Sequence, residues 1–591
     1  ALSAMSVGSL SGAATAMGDP RGAAARAGTR GLLGTRVLLW PAVAIAALVA
    51  AAAWWTGRSE RAPAVEVAYK QLTFRSGIVS AARFTPDGET VVYAAAWEGK
   101  PTSLFTARVG SPESRPLGIE GADLLSISKS GELAILRDAH YIVGWMRRGT
   151  LARASLAGGT PREVMQDVED ADWAPDGEGL AVVRSTAAQY RLEYPPGKML
   201  YETDAWVSSP RFSHDGRRIA FIDHPGIGDD RGRIGVVDLQ GRVRFLTEPF
   251  ASARGVAWTS HDDAIWFSAG RVGNVRAIQA VDFEGRVRVV DGAPTSMTLA
   301  DISAGGRTLV TRDSARRGII GTSPGDTVER DLSWLDWSRP AALSPDGRQI
   351  VFEEQGQGGG EGYSVYLRPT DGGPAVRLGR GSTLDLSRDG RWVLTATVAE
   401  PDRLDILPTG AGEARPLTLP GFEIINAWFQ TDSRRLVVLA TEKGHGARLY
   451  AFDPDAGAAP RPLTPEGIGY AAALSQNGKQ VAAAPRDGAV LIWPLDGGDP
   501  APLAGSEPGD IPLQWSRDDR TVFVAVRQGQ RARLDAIDVP TGRRSLFRTI
   551  EPADRAGLIG IDFFLLSADQ RAYAYSYRRV LSALYQVEGL P

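Results

Sequence analysis

Short apolar runs, each ended by a small polar turn, recur along most of the chain. Ala82–Tyr93, ARFTPDGETVVY, shows the unit: an apolar lead, a Pro-Asp-Gly turn and a second apolar run. Pro86 presets φ for the first turn position, Asp87 can bond its own backbone, and Gly88 supplies the positive φ that closes a hairpin. Val91, Val92 and Tyr93 suit a pleated, buried surface. The last two turn residues fall at Asp87-Gly88, Ser130-Gly131, Asp176-Gly177, Asp215-Gly216, Asp262-Asp263, Gly305-Gly306, Asp346-Gly347, Asp389-Gly390, Asp432-Ser433, Asn477-Gly478, Asp518-Asp519 and Asp569-Gln570. These twelve copies are spaced 39 to 51 residues apart, and eight end in Gly. The other four predict looser turns.

Each repeat supports four strands. The first ends on an apolar residue such as Phe84, Trp173, Phe212, Trp258 or Trp515, and the second is nearly continuous apolar, as in LAVV (180–183), IAFI (219–222) and VFVAV (522–526). Continuous runs rather than alternation predict strands covered on both faces. A third strand ends in a Gly turn, as in DLQG (238–241). The fourth carries RPLG (115–118) or RPLT (415–418, 461–464), with a proline that belongs on a sheet edge. Four strands per repeat at this period predict propeller blades.

Twelve blades exceed the usual four to eight of one ring. The fold class expected is therefore all-β: two consecutive six-bladed propellers of four-stranded blades, over 66–328 and 329–591, with a seven-plus-five split as the alternative. VAYKQLTF (67–74) is a fourth strand with no blade of its own, and the last unit lacks a fourth strand after ALYQVEG (583–589), so closure by mixing first and last strands is expected. VERDLSWL (328–335) then finishes the sixth blade or closes the second ring.

The N-terminus reads differently. Residues 1–36, mostly Ala, Gly, Ser and Arg, are expected to be a disordered cytoplasmic linker. VLLWPAVAIAALVAAAAWW (37–55) has no charge and is close to the ~20 residues of a spanning helix. Arg21, Arg26, Arg30 and Arg36 precede it, which puts the N-terminus inside and later residues outside. The alternative is a signal peptide cleaved near AAA (51–53). Residues 56–65 read as a linker. The start at Ala1 rather than Met leaves open whether a cytoplasmic domain precedes it in the parent protein.

Composition narrows the function classes. Hydrophobic residues at 43% and charged residues at 23% fit globular domains. A net charge of −3 with no basic face argues against nucleic acid. Cysteine is absent, which removes thiol catalysis and Cys-ligated zinc.

The motif F/L-S-PDG-x-x-apolar, nearly complete in ALSPDGRQIVF (342–352), resembles the WD40-like (PD40) repeat of TolB-family propellers, over about 66–591. With the linker, span and double propeller, YKQLTFRSGIVSAARFTPDGETVVYAAAWEG (69–99) is similar to the extracytoplasmic region of bacterial eukaryotic-like Ser/Thr kinases; single-span winged-helix regulators share the plan. The resemblance implies a sensor or interaction module. The residues present carry no H-R-D, D-F-G or nucleotide-loop motif of a kinase.

Other motifs read as structural. GTSPG (321–325) matches a nucleophile elbow, but Ser323 sits between strands and only His445 follows it. GQGGGEG (356–362) joins two strands rather than a strand and a helix. The five histidines (140, 214, 224, 261 and 445) show no metal-ligand spacing, and DPDAG (453–457) is too short for a calcium loop. No catalytic residue, metal or cofactor is expected. Asp87, Asp176, Asp215, Asp346 and Asp389, with Gly88, Gly177, Gly216, Gly347 and Gly390, are expected to serve their own turns. A long hairpin at 185–206 offers Tyr190, Arg191, Tyr194, Lys198, Tyr201 and Trp206 as a partner-binding set, aromatic and charged as at interfaces. The alternative is that these rings cover their own blade. Trp97, Trp334 and Trp337 are expected in inter-blade cores.

The function expected is a membrane-tethered, periplasmic sensor or protein-interaction module of the bacterial inner membrane. It would bind a protein or small ligand at a propeller face, with homodimerisation as one route of output. A TolB-like scaffold and a propeller hydrolase are the alternatives.

Overall fold

The computed structural model describes residues 67–590, apart from 110, 112, 144–145, 187–188, 274, 293–294, 361, 398–399 and 486–487. Residues 66–591 group as a single compact unit. Its strands form ten antiparallel sheets, eight of four strands, one of seven and one of six. The second strands are the most buried, as Arg218–His224 shows, with six buried residues after an exposed first. Many prolines sit in edge strands, and those of inner strands, Pro369, Pro408, Pro485 and Pro494, fall at the strand's last residue. Pro116, Pro416, Pro462 and Pro502 lie in outermost strands, while Pro210, Pro340 and Pro512 lie in innermost ones, where a missing N–H also breaks no ladder.

The innermost strands follow one another round two closed circuits. The first runs Gly77–Phe84, Ala122–Ile127, the C-terminal half of Arg162–Trp173, Trp206–Phe212, Ser252–Trp258 and Ser296–Ile302, and returns to Gly77–Phe84. The second runs Ser338–Leu343, Ser382–Leu386, Phe422–Phe429, Ile468–Leu474, Ile511–Trp515 and Leu558–Leu566, and returns to Ser338–Leu343. Apolar clusters fill the space between successive sheets: Val92, Ala94, Leu124 and Ile135 between the first two, and Val437, Leu439, Leu474 and Trp493 in the second circuit. The fold is propeller-like.

The two rings are not consecutive. Strand Thr308–Gly321 pairs along its whole length with Tyr573–Glu588, from Thr308 opposite Val587 to Gly321 opposite Ala574. The first half of Thr308–Gly321 and the last half of Tyr573–Glu588 lie between Ser296–Ile302 and Ala68–Gln71, completing the first ring. The remaining halves lie between Leu558–Leu566 and Arg330–Asp331, completing the second. A cut at 328/329 would thus separate strands that pair. Because both strands cross at Ser314/Ala315 and Val580/Leu581, the ring ends remote from the Asp-Gly turns face each other. Arg555 packs on Gly99 across this junction, and Tyr363 lies within electrostatic reach of Asp229 and Arg231.

The fold class needs one correction beyond strand exchange. The expected spanning helix at 37–55, with the segments at 1–36 and 56–65, lies outside the described residues. Among the described residues no helix is long and apolar enough to cross a membrane. Their apolar runs pair as strands of 2 to 16 residues, and the one helical element is a 3-10 turn at Gln357–Gly359. Over the described residues the fold is therefore all-β with no spanning helix, and the single-pass inner-membrane location that rested on one is not supported.

The four turns without glycine are not looser. Asp262, Ser433, Asp519 and Gln570 hold φ of 56°, 57°, 55° and 61°, the left-handed conformation of Gly88 at 68°. In the fifth repeat that residue is Asp262, one place earlier in the turn than its expected last residue, Asp263. Three of the four tie down the preceding blade. Asp262 accepts the His214 and Asp215 amides at 3.0 Å each, Asp519 those of Gln476 and Asn477 at 2.5 and 2.8 Å, and Ser433 Oγ that of Asp389 at 3.3 Å.

Candidate functional site: two unequal channels

The turn carboxylates are occupied locally. Thr85, Ser213, Ser344 and Ser387 donate to Asp87, Asp215, Asp346 and Asp389 at 2.6 Å. Each of these carboxylates also accepts the amide two residues on, and Asp176 accepts that of Glu178 at 2.9 Å. The hydroxyl bond chiefly holds Asp87, Asp215 and Asp346 below the usual carboxylate range.

The long hairpin turns its aromatics inward. Tyr190, Leu192 and Trp206 join the buried cluster with Phe212 and Phe221, and Tyr194 packs edge-on to Phe212 at 4.8 Å. Tyr201 donates to Asp223 at 2.7 Å, and burial with that bond pushes its phenol above the usual range. Arg191 pairs with Glu202, and Lys198 donates to the Leu239 carbonyl at 2.9 Å in the next blade. Trp97 is core, but Trp334 is 42% exposed and Trp337 half-buried. Ser323 meets the Thr370 hydroxyl at 3.0 Å. Among the described residues no group of three His, Asp or Glu is placed to hold a metal ion.

A second set of carboxylates, missed in the sequence, lies on the innermost strands. Asp172, Asp301 and Asp385 accept the amides of Phe212, Phe84 and Phe429, each in the next blade, at 2.8, 2.9 and 2.8 Å. Burial pushes Asp172 and Asp385 up to about 7. They clasp neighbouring blades.

The first ring's channel holds a cavity of about 220 Å³ lined by charged groups. Ser80 and Arg147 both bond Asp123, Arg148 pairs with Glu169 at 3.1 Å, and Thr298 donates to Asp313 at 2.6 Å. Ser208 Oγ meets His224 Nε2 at 2.8 Å, and His224 Nδ1 lies 2.8 Å from the Arg231 carbonyl. That carbonyl can only accept, so Nδ1 carries the proton and Nε2 accepts from Ser208. Burial lowers His224 to about 4, leaving it a weak base; stacked on Trp206 at 4.0 Å, it anchors the blade.

The second ring's channel is larger, about 900 Å³, and all six blades line it. Its wall mixes apolar and aromatic surface (Pro340, Trp428, Pro512 and Phe563, small where Ala471 faces it) with charged groups, among them Arg388, Arg527, Asp510 and Asp562. Asn426, Gln476 and Gln514 supply amides. Phe563 holds φ of 49°, rare for a bulky residue, with its ring between Arg317 and Arg339 at 5.2 and 5.1 Å. Space, aromatic surface and convergent amides make this the better binding cavity.

Ordered circuits of four-strand groups define the class as propeller-like. No known family model matches the chain. It is 25% identical over 199 residues to the "Uncharacterized peptidase YuxL" of Bacillus subtilis (strain 168), covering 31% of this chain and 29% of that protein. The chain thus spans less than a third of that relative. Among solved structures it is similar to the tricorn protease, at 16% identity and TM-score 0.32 over 84% of this chain and 55% of that one. A nidogen/laminin complex matches at 12% identity and TM-score 0.32 over 41% and 97%. The propeller-like class rests on strand order, not on these two structures.

Proposed function

We propose that this chain is a non-catalytic propeller module that binds polypeptide segments in the channel of its second ring. The observation that carries this reading is the 900 Å³ cavity lined by aromatic, proline and amide side chains. Such a lining takes up apolar side chains while satisfying amide groups. The relative named a peptidase favours peptides as the ligand class. The Ser/Thr-x-Asp-Gly turns favour the TolB-like PD40 type, and the first-blade resemblance favours a sensor for a Ser/Thr kinase or related regulator over a scaffold without output.

The test is hydrogen–deuterium exchange on the full chain with and without a tryptic digest of casein. Protection should concentrate on Ser338–Leu343, Ile468–Leu474 and Ile511–Trp515, and the digest should remain uncleaved. Protection elsewhere only would move the site, and cleavage of the digest would overturn the non-catalytic reading.

A further inference from the structure

Side chains cross part of the second ring's channel at its turn end. Arg388, in the turn of that ring's second blade, reaches across to the fourth blade, where it donates to the Gln476 side chain and lies 3.4 Å from the Ser475 carbonyl. Gln476 continues the floor by donating to Gln514 Oε1 at 3.1 Å. These side chains link the second, fourth and fifth blades, so a ligand entering the channel meets a polar floor on that side.

The floor also carries a charge without a close counter-charge. Both bonds made by Arg388 go to neutral groups, and among the described residues no carboxylate lies within 4.0 Å of it. The two nearby acids are engaged elsewhere: Asp385 clasps the Phe429 amide, and Asp519 takes two amides of the neighbouring turn. Burial pulls the guanidinium below the usual arginine range, with Asp385 and Asp519 opposing. A part-buried cation beside the aromatic and proline surface of this channel is stabilised by an anionic ligand that brings its own apolar body.

The opposite end is the mouth, on the side facing the first ring. Tyr470 stands there 49% exposed, within electrostatic reach of Arg339 of the first blade, directly across the ring. Arg339 is held bidentately by Glu353 at 2.9 and 3.0 Å, so the exposed Tyr470 is the movable side of the mouth.

We propose that the second ring is a receptor for an apolar carboxylate, the free C-terminal end of a polypeptide, which enters past Tyr470 and seats its carboxylate on Arg388. This rests on the peptide-binding reading above and adds the end of the chain that is read and the residue that reads it.

Calorimetric titration of the full chain tests it with three probes: an acetylated hexapeptide ending in Leu-Phe with a free carboxylate, the same peptide as its C-terminal amide, and 3-phenylpropanoate. The free acid should bind at least ~10-fold more tightly than the amide, the order of one charge-assisted contact. Arg388→Gln should reduce the acid to the affinity of the amide and leave the amide unchanged, Arg388→Lys should retain part of the preference, and Ala471→Trp should block both peptides. The acid–amide comparison in the unaltered chain needs no variant to fold. Equal binding of acid and amide, or equal weakening of both by Arg388→Gln, overturns the carboxylate assignment and leaves peptide binding standing. If 3-phenylpropanoate binds as tightly as the peptide, the site belongs to small acids, and if no probe binds, the peptide-binding reading falls as well.

Discussion

Replacing Asp172 by Asn should make the protein more stable at pH 8. Asp172 is 8% exposed, yet it accepts from Ser126 Oγ at 2.5 Å and the Phe212 amide at 2.8 Å. Burial dominates and pushes it up to about 7, with the Ser126 and Phe212 bonds and Arg83 opposing, and the neighbouring Asp301 adding to the rise. In the unfolded chain an aspartate titrates near ~3.9. The native state therefore binds more protons between about pH 4 and 7, and stability must fall as pH rises through that window. Three pH units at ~1.4 kcal/mol each give roughly 4 kcal/mol, fully present below pH 4 and lost above pH 7. Asn keeps an oxygen for the Phe212 amide, while its nitrogen can donate to Ser126 Oγ. Urea unfolding followed by tryptophan fluorescence, at pH 4, 6 and 8, measures the effect. The variant should match the parent within ~1 kcal/mol at pH 4 and exceed it by up to ~4 kcal/mol at pH 8, with m unchanged. A variant less stable at pH 8, or one that keeps the parent's slope between pH 4 and 7, would refute the reasoning.

Three other perturbations probe the fold. Asp519→Gly frees a left-handed residue but removes two charge-assisted bonds to the preceding turn, so thermal melts should show a net loss of about 2 kcal/mol. Trp515→Ala removes a fully buried indole that donates to the Ala473 carbonyl at 2.9 Å, and should cost about 4 kcal/mol in the same melts. A chain ending at Leu581 loses the partner of both Thr308–Asp313 and Ala68–Gln71. Limited proteolysis should then cut the first ring and spare the second; equal resistance of both rings would contradict the strand exchange.

The turn chemistry and continuous apolar second strands made the repeat and its four strands legible, because hairpin turns and two-sided burial leave local marks. The exchange of strands was not legible as such, although a mark was present: Tyr573–Glu588 runs 16 residues with neither Gly nor Pro, twice the length of an ordinary blade strand. Pairing partners hundreds of residues away write nothing local. The hairpin at 185–206 was ambiguous because Tyr and Trp suit both interfaces and cores; the alternation Tyr190-Arg191-Leu192 marks the inward face, with Arg191 between two buried neighbours. Asp519 and Asp262 read as weak turn residues because their reward comes from the preceding blade. Arg388 carried no signal, since its role depends on a residue 88 positions away.

The crossing strands also set an order of assembly. A newly made chain has the first five blades of its first ring by Asp291, but that ring needs Ser582–Glu588, the end of a strand made much later. The second ring is completed just before it, by Tyr573–Val580 of the same strand. Until that strand is made, the first ring is an open arc with an unpaired edge at its sixth sheet. Its closure and that of the second ring become one late event, decided by a single strand.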